Sequence, residues 1–127
     1  MNNLTLEQAK QQLTSGRAIE QWLGHQTESG YRALKWLRID KEPDGGYSVA
    51  KYECFDDGNF ESLDIYSFGQ VNPELPYGEI VDANSPEEAL EKARVDFKAD
   101  GSKYLGPGMI QDAYAEFLRE YGEFKGN

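Results

Sequence analysis

His25 is the single histidine of the chain and Cys54 its single cysteine, so general-base chemistry and thiol chemistry each rest on one residue. An imidazole titrates near neutrality and suits proton transfer. The hairpin register proposed below sets His25 beside Ala33 with no second metal ligand near it, and we read it as a solvent-facing strand histidine. Cys54 needs a depressed pKa to act as a nucleophile, yet Glu53, Asp56 and Glu61 around it are acidic and raise it. We read it as a buried apolar residue. The stretch Asp56-Asp57-Gly58-Asn59, with Asp64, has the composition of a calcium loop without its D-x-[DN]-x-[DN]-G spacing, and a tight turn cannot wrap six oxygens around an ion. Between Gly101 and Gly108 three glycines occur with neither a G-x-G-x-x-G pattern nor a following Lys-Ser or Lys-Thr; they suit a helix stop and a helix start. With 23 acidic residues, some carboxylate pair lies at a glycosidase-like separation by chance, so that pattern carries no information. No catalytic, cofactor-binding or metal-ligating residue is assigned, and the expectation is a protein that is not an enzyme.

Charge is more informative. The net charge is −10, and between Lys51 and Lys92 there is no basic residue against eleven acidic ones: Glu53, Asp56, Asp57, Glu61, Asp64, Glu74, Glu79, Asp82, Glu87, Glu88 and Glu91. Such a field repels nucleic-acid phosphate and anionic lipid and steers toward a basic partner; its plainer role is solubility. Eight tyrosines suit interfaces, where a large ring ends in a polar tip. Stacking of single-stranded nucleic acid needs a basic groove, which this stretch lacks. One cysteine excludes an internal disulfide, no run approaches the roughly 20 apolar residues of a membrane span, and MNNLTLEQAK has no signal-peptide pattern. A soluble cytoplasmic protein is expected.

These side chains must be positioned by a sheet. From Ala18 to Phe68 four strand-forming runs are separated by ESG, PDG and DG, each a hairpin signal. A three-residue loop at Glu28-Ser29-Gly30 sets Thr27 against Tyr31, Trp22 against Trp36, Glu20 against Arg38 and Ile19 against Ile39. A type I turn at Pro43-Asp44 with Gly45 left-handed sets Glu42 against Gly46, Trp36 against Tyr52, Lys35 against Glu53 and Arg32 against Asp56. Asp57-Gly58 as a type I′ turn sets Phe55 against Phe60, Tyr52 against Leu63 and Lys51 against Asp64. Alternation then sorts one face as Trp22, Leu34, Trp36, Ala50, Tyr52, Cys54, Leu63 and Ile65. The other carries Ile19, Leu23, His25, Leu37, Ile39, Val49, Phe55, Phe60, Tyr66 and Phe68, crossed by a ladder of Lys35, Glu53, Lys51 and Asp64. Because charges avoid cores, the helices are assigned to the first face and the second is left partly open.

Three helices are expected. Leu4 to Gly16 opens with Thr5 and Gln8 at capping-box spacing, and its Leu6, Ala9 and Leu13 form a short stripe. Ser85-Pro86-Glu87-Glu88 starts a helix reaching about Ala99, with Glu88 closing a capping box, Ala89, Leu90, Ala93 and Phe97 facing the sheet and Gly101 as the stop. Met109, Ile110, Ala113, Tyr114, Phe117, Leu118 and Tyr121 make the clearest amphipathic stripe, ended by Gly122. Gly69 to Gly78, with Pro73 and Pro76, is a loop, Glu79 to Ala83 a short fifth strand, and Glu123 to Asn127 a frayed tail.

The expected fold is a single α+β domain over residues 1–127, an antiparallel meander of four to five strands with one face covered by an N-terminal helix and two C-terminal helices. The expected role is a small acidic binding or regulatory protein of the kind found among bacterial accessory proteins, an inhibitor or immunity-type domain masking a basic site on a protein partner through Asp57, Glu61 and Glu74. The alternative is a homodimer or small-ligand domain using the open face through Ile39, Val49, Tyr66 and Phe68; an enzyme with His25 as base ranks third. No cofactor, nucleic acid or membrane is expected.

Overall fold

The computed structural model describes residues 3–125. The fold is α+β: four antiparallel strands in the order β1-β2-β3-β4, one helix before them and two after. Helix α1 spans Leu6–Thr14 and begins with the expected capping box, Thr5 Oγ1 accepting from the Gln8 amide at 3.1 Å and Gln8 Oε1 from the Thr5 amide at 2.9 Å. Strands β1 (Ile19–Glu28), β2 (Tyr31–Lys41) and β3 (Tyr47–Phe55) follow, then a single 3₁₀ turn (Ile65–Ser67), strand β4 (Glu79–Ala83), α2 (Pro86–Phe97) and α3 (Ile110–Tyr121).

The β2–β3 register is as expected. The Glu42 amide donates to the Gly46 carbonyl at 2.7 Å, Gly45 has φ +94°, and Trp36 faces Tyr52. In the first hairpin two departures cancel. The loop holds two residues, Ser29 and Gly30, so Glu28 rather than Thr27 faces Tyr31, and a bulge at Leu23 absorbs the extra residue. Beyond it Trp22–Trp36, Glu20–Arg38 and Ile19–Ile39 are paired as expected. Between loop and bulge the faces are exchanged: His25 faces Leu34, not Ala33, and lies on the Trp22 side of the sheet.

The third hairpin does not form. Gly58 has no positive φ, as a type I′ turn would require; a Cβ there would fall 2.4 Å from the Ser62 carbonyl oxygen and 2.5 Å from the Phe68 ring. Its smallness serves close packing, and the chain leaves the sheet to fold over the Trp36 face, burying Ile65 and Phe68. The place beside β3 is taken by Gly69–Val71 next to its end and by β4 next to its start, so Lys51 faces Glu79 instead of Asp64.

Helix placement also differs from expectation, since both faces are covered. Ile19, Leu37, Ile39 and Val49 lie under α1 and α2, against Leu13, Ala89, Ala93 and Phe97. Leu34, Trp36 and Cys54 lie under α3 and the 3₁₀ segment, against Ile110, Tyr114, Phe117 and Leu118. The first of these faces is divided along its strands. A helix of nine to twelve residues is only about 14–18 Å long, and it covers the apolar end while Lys35, Lys51 and Glu53 stay half-exposed beyond it.

Local stops follow similar logic. Ser85 caps α2 through the Glu88 amide at 3.0 Å, but Glu88 Oε1 accepts from Asn84 rather than Ser85, so the box closes one residue early. Helix α2 ends at Lys98, which takes the left-handed conformation (φ +63°) that Gly101 was expected to supply; Gly101 instead packs against Leu6. The tail is held through Glu123, whose Oε2 accepts from the Phe60 amide at 2.9 Å, while Gly126 and Asn127 lie outside the described residues.

Candidate functional site

Helix α3 covers only the β1 side of the Trp36 face. On the other side the sheet forms the floor of a cleft of about 600 Å³, made by Trp36, Arg38 and Tyr52. One wall is the segment Tyr66–Gln70 and the other is the loop carrying Pro73, Pro76 and Tyr77. Gly78 explains how that loop returns to the sheet: with φ +84°, it passes so close to β3 that a Cβ would sit 2.7 Å from the Lys51 carbonyl oxygen and 2.9 Å from the Tyr52 ring. The return leaves Tyr77 on the rim, 77% exposed.

The aromatic lining is fixed by its own contacts. Trp36 stacks on Tyr52 with centroids 4.4 Å apart and meets Tyr66 edge-on at 5.3 Å. The Tyr66 hydroxyl donates to Glu20 Oε2 at 2.5 Å, which pins the ring although its outer side is exposed. Burial, then this bond and the Glu20 charge, push the Tyr66 phenol well above its ordinary range, so it stays a donor.

Glu20 is a fully buried carboxylate that accepts from three donors, Arg38, the Tyr66 hydroxyl and the Ile110 amide. Arg38 Nη1 lies 2.6 Å from Oε2, and the Ile110 amide donates to Oε1 at 3.1 Å, so a strand residue caps the first turn of α3, which has no side-chain cap of its own. Arg38 also holds Asp40 at 3.0 Å. Burial disfavours its charge, but Asp40 and Glu20 outweigh that and raise its pKa. A second cluster at the other end of α3 repeats the design. The Asp56 side chain is buried, pairs with Arg32 at 2.6 Å and accepts from the Tyr114 hydroxyl, while Arg32 donates to the Gly122 carbonyl at 2.7 Å. The expected Arg32–Asp56 pairing is thus present as an internal tie rather than a surface ion pair.

The residues weighed for catalysis lie elsewhere. The His25 ring packs against Phe117 (4.8 Å) and Tyr121 (4.6 Å) at the edge of α3. Cys54 is fully buried, and burial, then Asp57 and Asp56, push its thiol up to about 12. No three His, Cys, Asp or Glu side chains come together as metal ligands among the described residues.

Of the residues expected to bind a partner, Asp57, Glu61 and Glu74 are exposed. Ile39, Val49, Tyr66 and Phe68 do not form one surface: Ile39 and Val49 are fully buried beneath α1 and α2, Phe68 is buried on the opposite face, and Tyr66 alone is exposed. The cleft residues Trp36, Arg38, Tyr52 and Tyr77 were not assigned from sequence. The abundance of tyrosine and the Pro73–Tyr77 loop were visible there, but the loop's return across the sheet was not. No helix among the described residues is long and apolar enough to cross a membrane. The chain matches no protein-family model, no curated protein and no solved structure.

Proposed function

We propose that this chain is a small acidic binding protein of the inhibitor or immunity type, which masks a basic site on a protein partner and acts by binding rather than turnover. The supporting observation is the surface between Asp56 and Ile80. This fifth of the described chain holds five of its eight exposed large apolar side chains, Phe60, Tyr66, Leu75, Tyr77 and Ile80, and no Lys, Arg or His. Aromatic anchors amid exposed carboxylates such as Asp57, Glu61 and Glu74, which form no ion pair among the described residues, are the make-up of a surface that recognises a basic partner. A cytoplasmic setting suits the lone thiol of Cys54, which needs no oxidant and meets no partner cysteine. The homodimer alternative through Ile39 and Val49 has no comparable support, because both are core residues.

The test is kinetic. A partner captured from a lysate of the source cells should associate faster at low salt than at 0.15 M, where the screening length is about 8 Å, with a smaller change in dissociation. Asp57→Asn, Glu61→Gln and Glu74→Gln together should slow association and leave the unfolding midpoint in place, since exposed charges contribute little to stability. Association insensitive to both salt and the triple variant removes the proposal.

A further inference from the structure

Resting on the reading of a basic partner, we propose that the cleft over Trp36 is an anchoring pocket for an arginine side chain of that partner, with the guanidinium laid against the Tyr77 ring. Five of its lining side chains are aromatic, Trp36, Tyr52, Tyr66, Phe68 and Tyr77; Trp36 and Phe68 are buried, and the exposed rings are those of Tyr66 and Tyr77. The planar guanidinium suits such walls better than a compact ammonium, because it can stack as well as attract. The one cation in the lining, Arg38, already lies over the Tyr66 ring at 5.9 Å, which leaves Tyr77 to an incoming cation; two carboxylates hold Arg38, Glu20 at 2.6 Å and Asp40 at 3.0 Å, so that cluster keeps a net negative charge. Glu74 lies on the rim loop between Pro73 and Pro76, and no basic residue occurs within the segments that form either wall. Phosphate-bearing ligands are disfavoured by the same field.

The pocket is also prepared for its occupant. Tyr52 and Tyr66 are held by Trp36, Tyr66 is further held by Glu20, and Gly78 fixes the backbone where the rim loop rejoins β3, so the floor of the cleft needs little ordering on binding. At about 600 Å³ the cleft exceeds one side chain and accommodates the residues flanking the arginine in an extended segment.

The probe is the peptide Gly-Arg-Gly-Arg-Gly, capped at both ends, beside its lysine and citrulline counterparts, followed through the backbone and indole N–H resonances of the ¹⁵N-labelled protein. The arginine peptide should shift Trp36, Gly69, Gln70 and Gly78 in a saturable way. The citrulline peptide has nearly the same shape without charge and should bind about tenfold more weakly, as should the arginine peptide with Tyr77→Ala. Tyr77 is exposed, so that variant keeps the fold. Absence of shifts at the cleft, equal binding of the citrulline peptide, or wild-type affinity in Tyr77→Ala overturns the inference. A captured partner slowed by Asp57→Asn with Glu61→Gln but indifferent to Tyr77→Ala would remove the pocket and leave the acidic-surface reading standing. Peptide binding in the cleft, with no effect of that double variant on a partner, would do the reverse.

Discussion

Cys54 lies at zero exposure with its thiol pushed from 9.0 to about 12, and Tyr66, Tyr104 and Tyr114 are all raised by burial, Tyr66 and Tyr114 additionally by hydrogen bonds to carboxylates. Each of these groups binds its proton more tightly folded than unfolded. Their stabilising contribution is therefore complete below about pH 9 and is lost as pH climbs toward 12, with a slope for the thiol approaching about 1.4 kcal/mol per pH unit. Denaturant unfolding across that window should show the decline, and Cys54→Ala should make it shallower, leaving the part due to the tyrosines; a flat profile in the parent protein would contradict the burial. A thiol reagent at pH 8 should likewise label Cys54 only as fast as the protein opens. Glu20→Ala, which leaves Arg38, Tyr66 and the Ile110 amide without their acceptor, should cost about 3 to 5 kcal/mol by the same unfolding measurement, against roughly nothing for an exposed carboxylate such as Glu61. That Glu20 meets Arg38 was expected from a three-residue turn, and the pairing holds only because the bulge at Leu23 offsets the shorter loop. That it caps α3 was not legible, because nothing in the chain's periodicity connects residue 20 with residue 110.

Elements were most legible where one local signal decided them. The three helices follow from their caps and stripes, and β2 and β3 from the Pro43–Gly45 turn; the structure departs where two signals competed for one residue. Asp57-Gly58 reads as a hairpin turn, yet Asp56 is drawn inward to Arg32 and Tyr114, and the absent Cβ of Gly58 makes room for Phe68 and Tyr114. Gly58→Ala should accordingly destabilise by about 2 to 3 kcal/mol, whereas a turn residue needing only a small side chain would tolerate it far better; equilibrium unfolding distinguishes these. At Lys98, forced left-handed at the end of α2 and exposed, Lys98→Gly should stabilise by roughly 0.5 to 1 kcal/mol, measured as a raised unfolding midpoint. The division of the helices between two faces was hidden by the charged ladder. Lys35, Lys51 and Glu53 argued against covering their face, and they do stay uncovered, but only over half of it.

At the scale of the whole molecule, the sheet is a wall between two separate cores. The Ile39 side is completed by α1 and α2, and the Trp36 side by the 3₁₀ segment and α3. Trp36→Ala should cost about 3 to 5 kcal/mol, because the indole is 2% exposed and supports Tyr52 and Tyr66 together; a cost near zero on unfolding would move that face to the surface. The two cores differ in when their parts leave the ribosome. Everything the Ile39 core needs has been made by Leu105, whereas Trp22, Leu34 and Cys54 wait for Tyr114, Phe117 and Leu118. At a synthesis rate of about 5–20 residues per second, the stretch from Met109 to Phe124 takes roughly one to three seconds, and until it is made the Trp36 side of the sheet has the 3₁₀ segment but not α3 to cover its aromatic residues. A nascent chain arrested in that interval is a natural client for a chaperone.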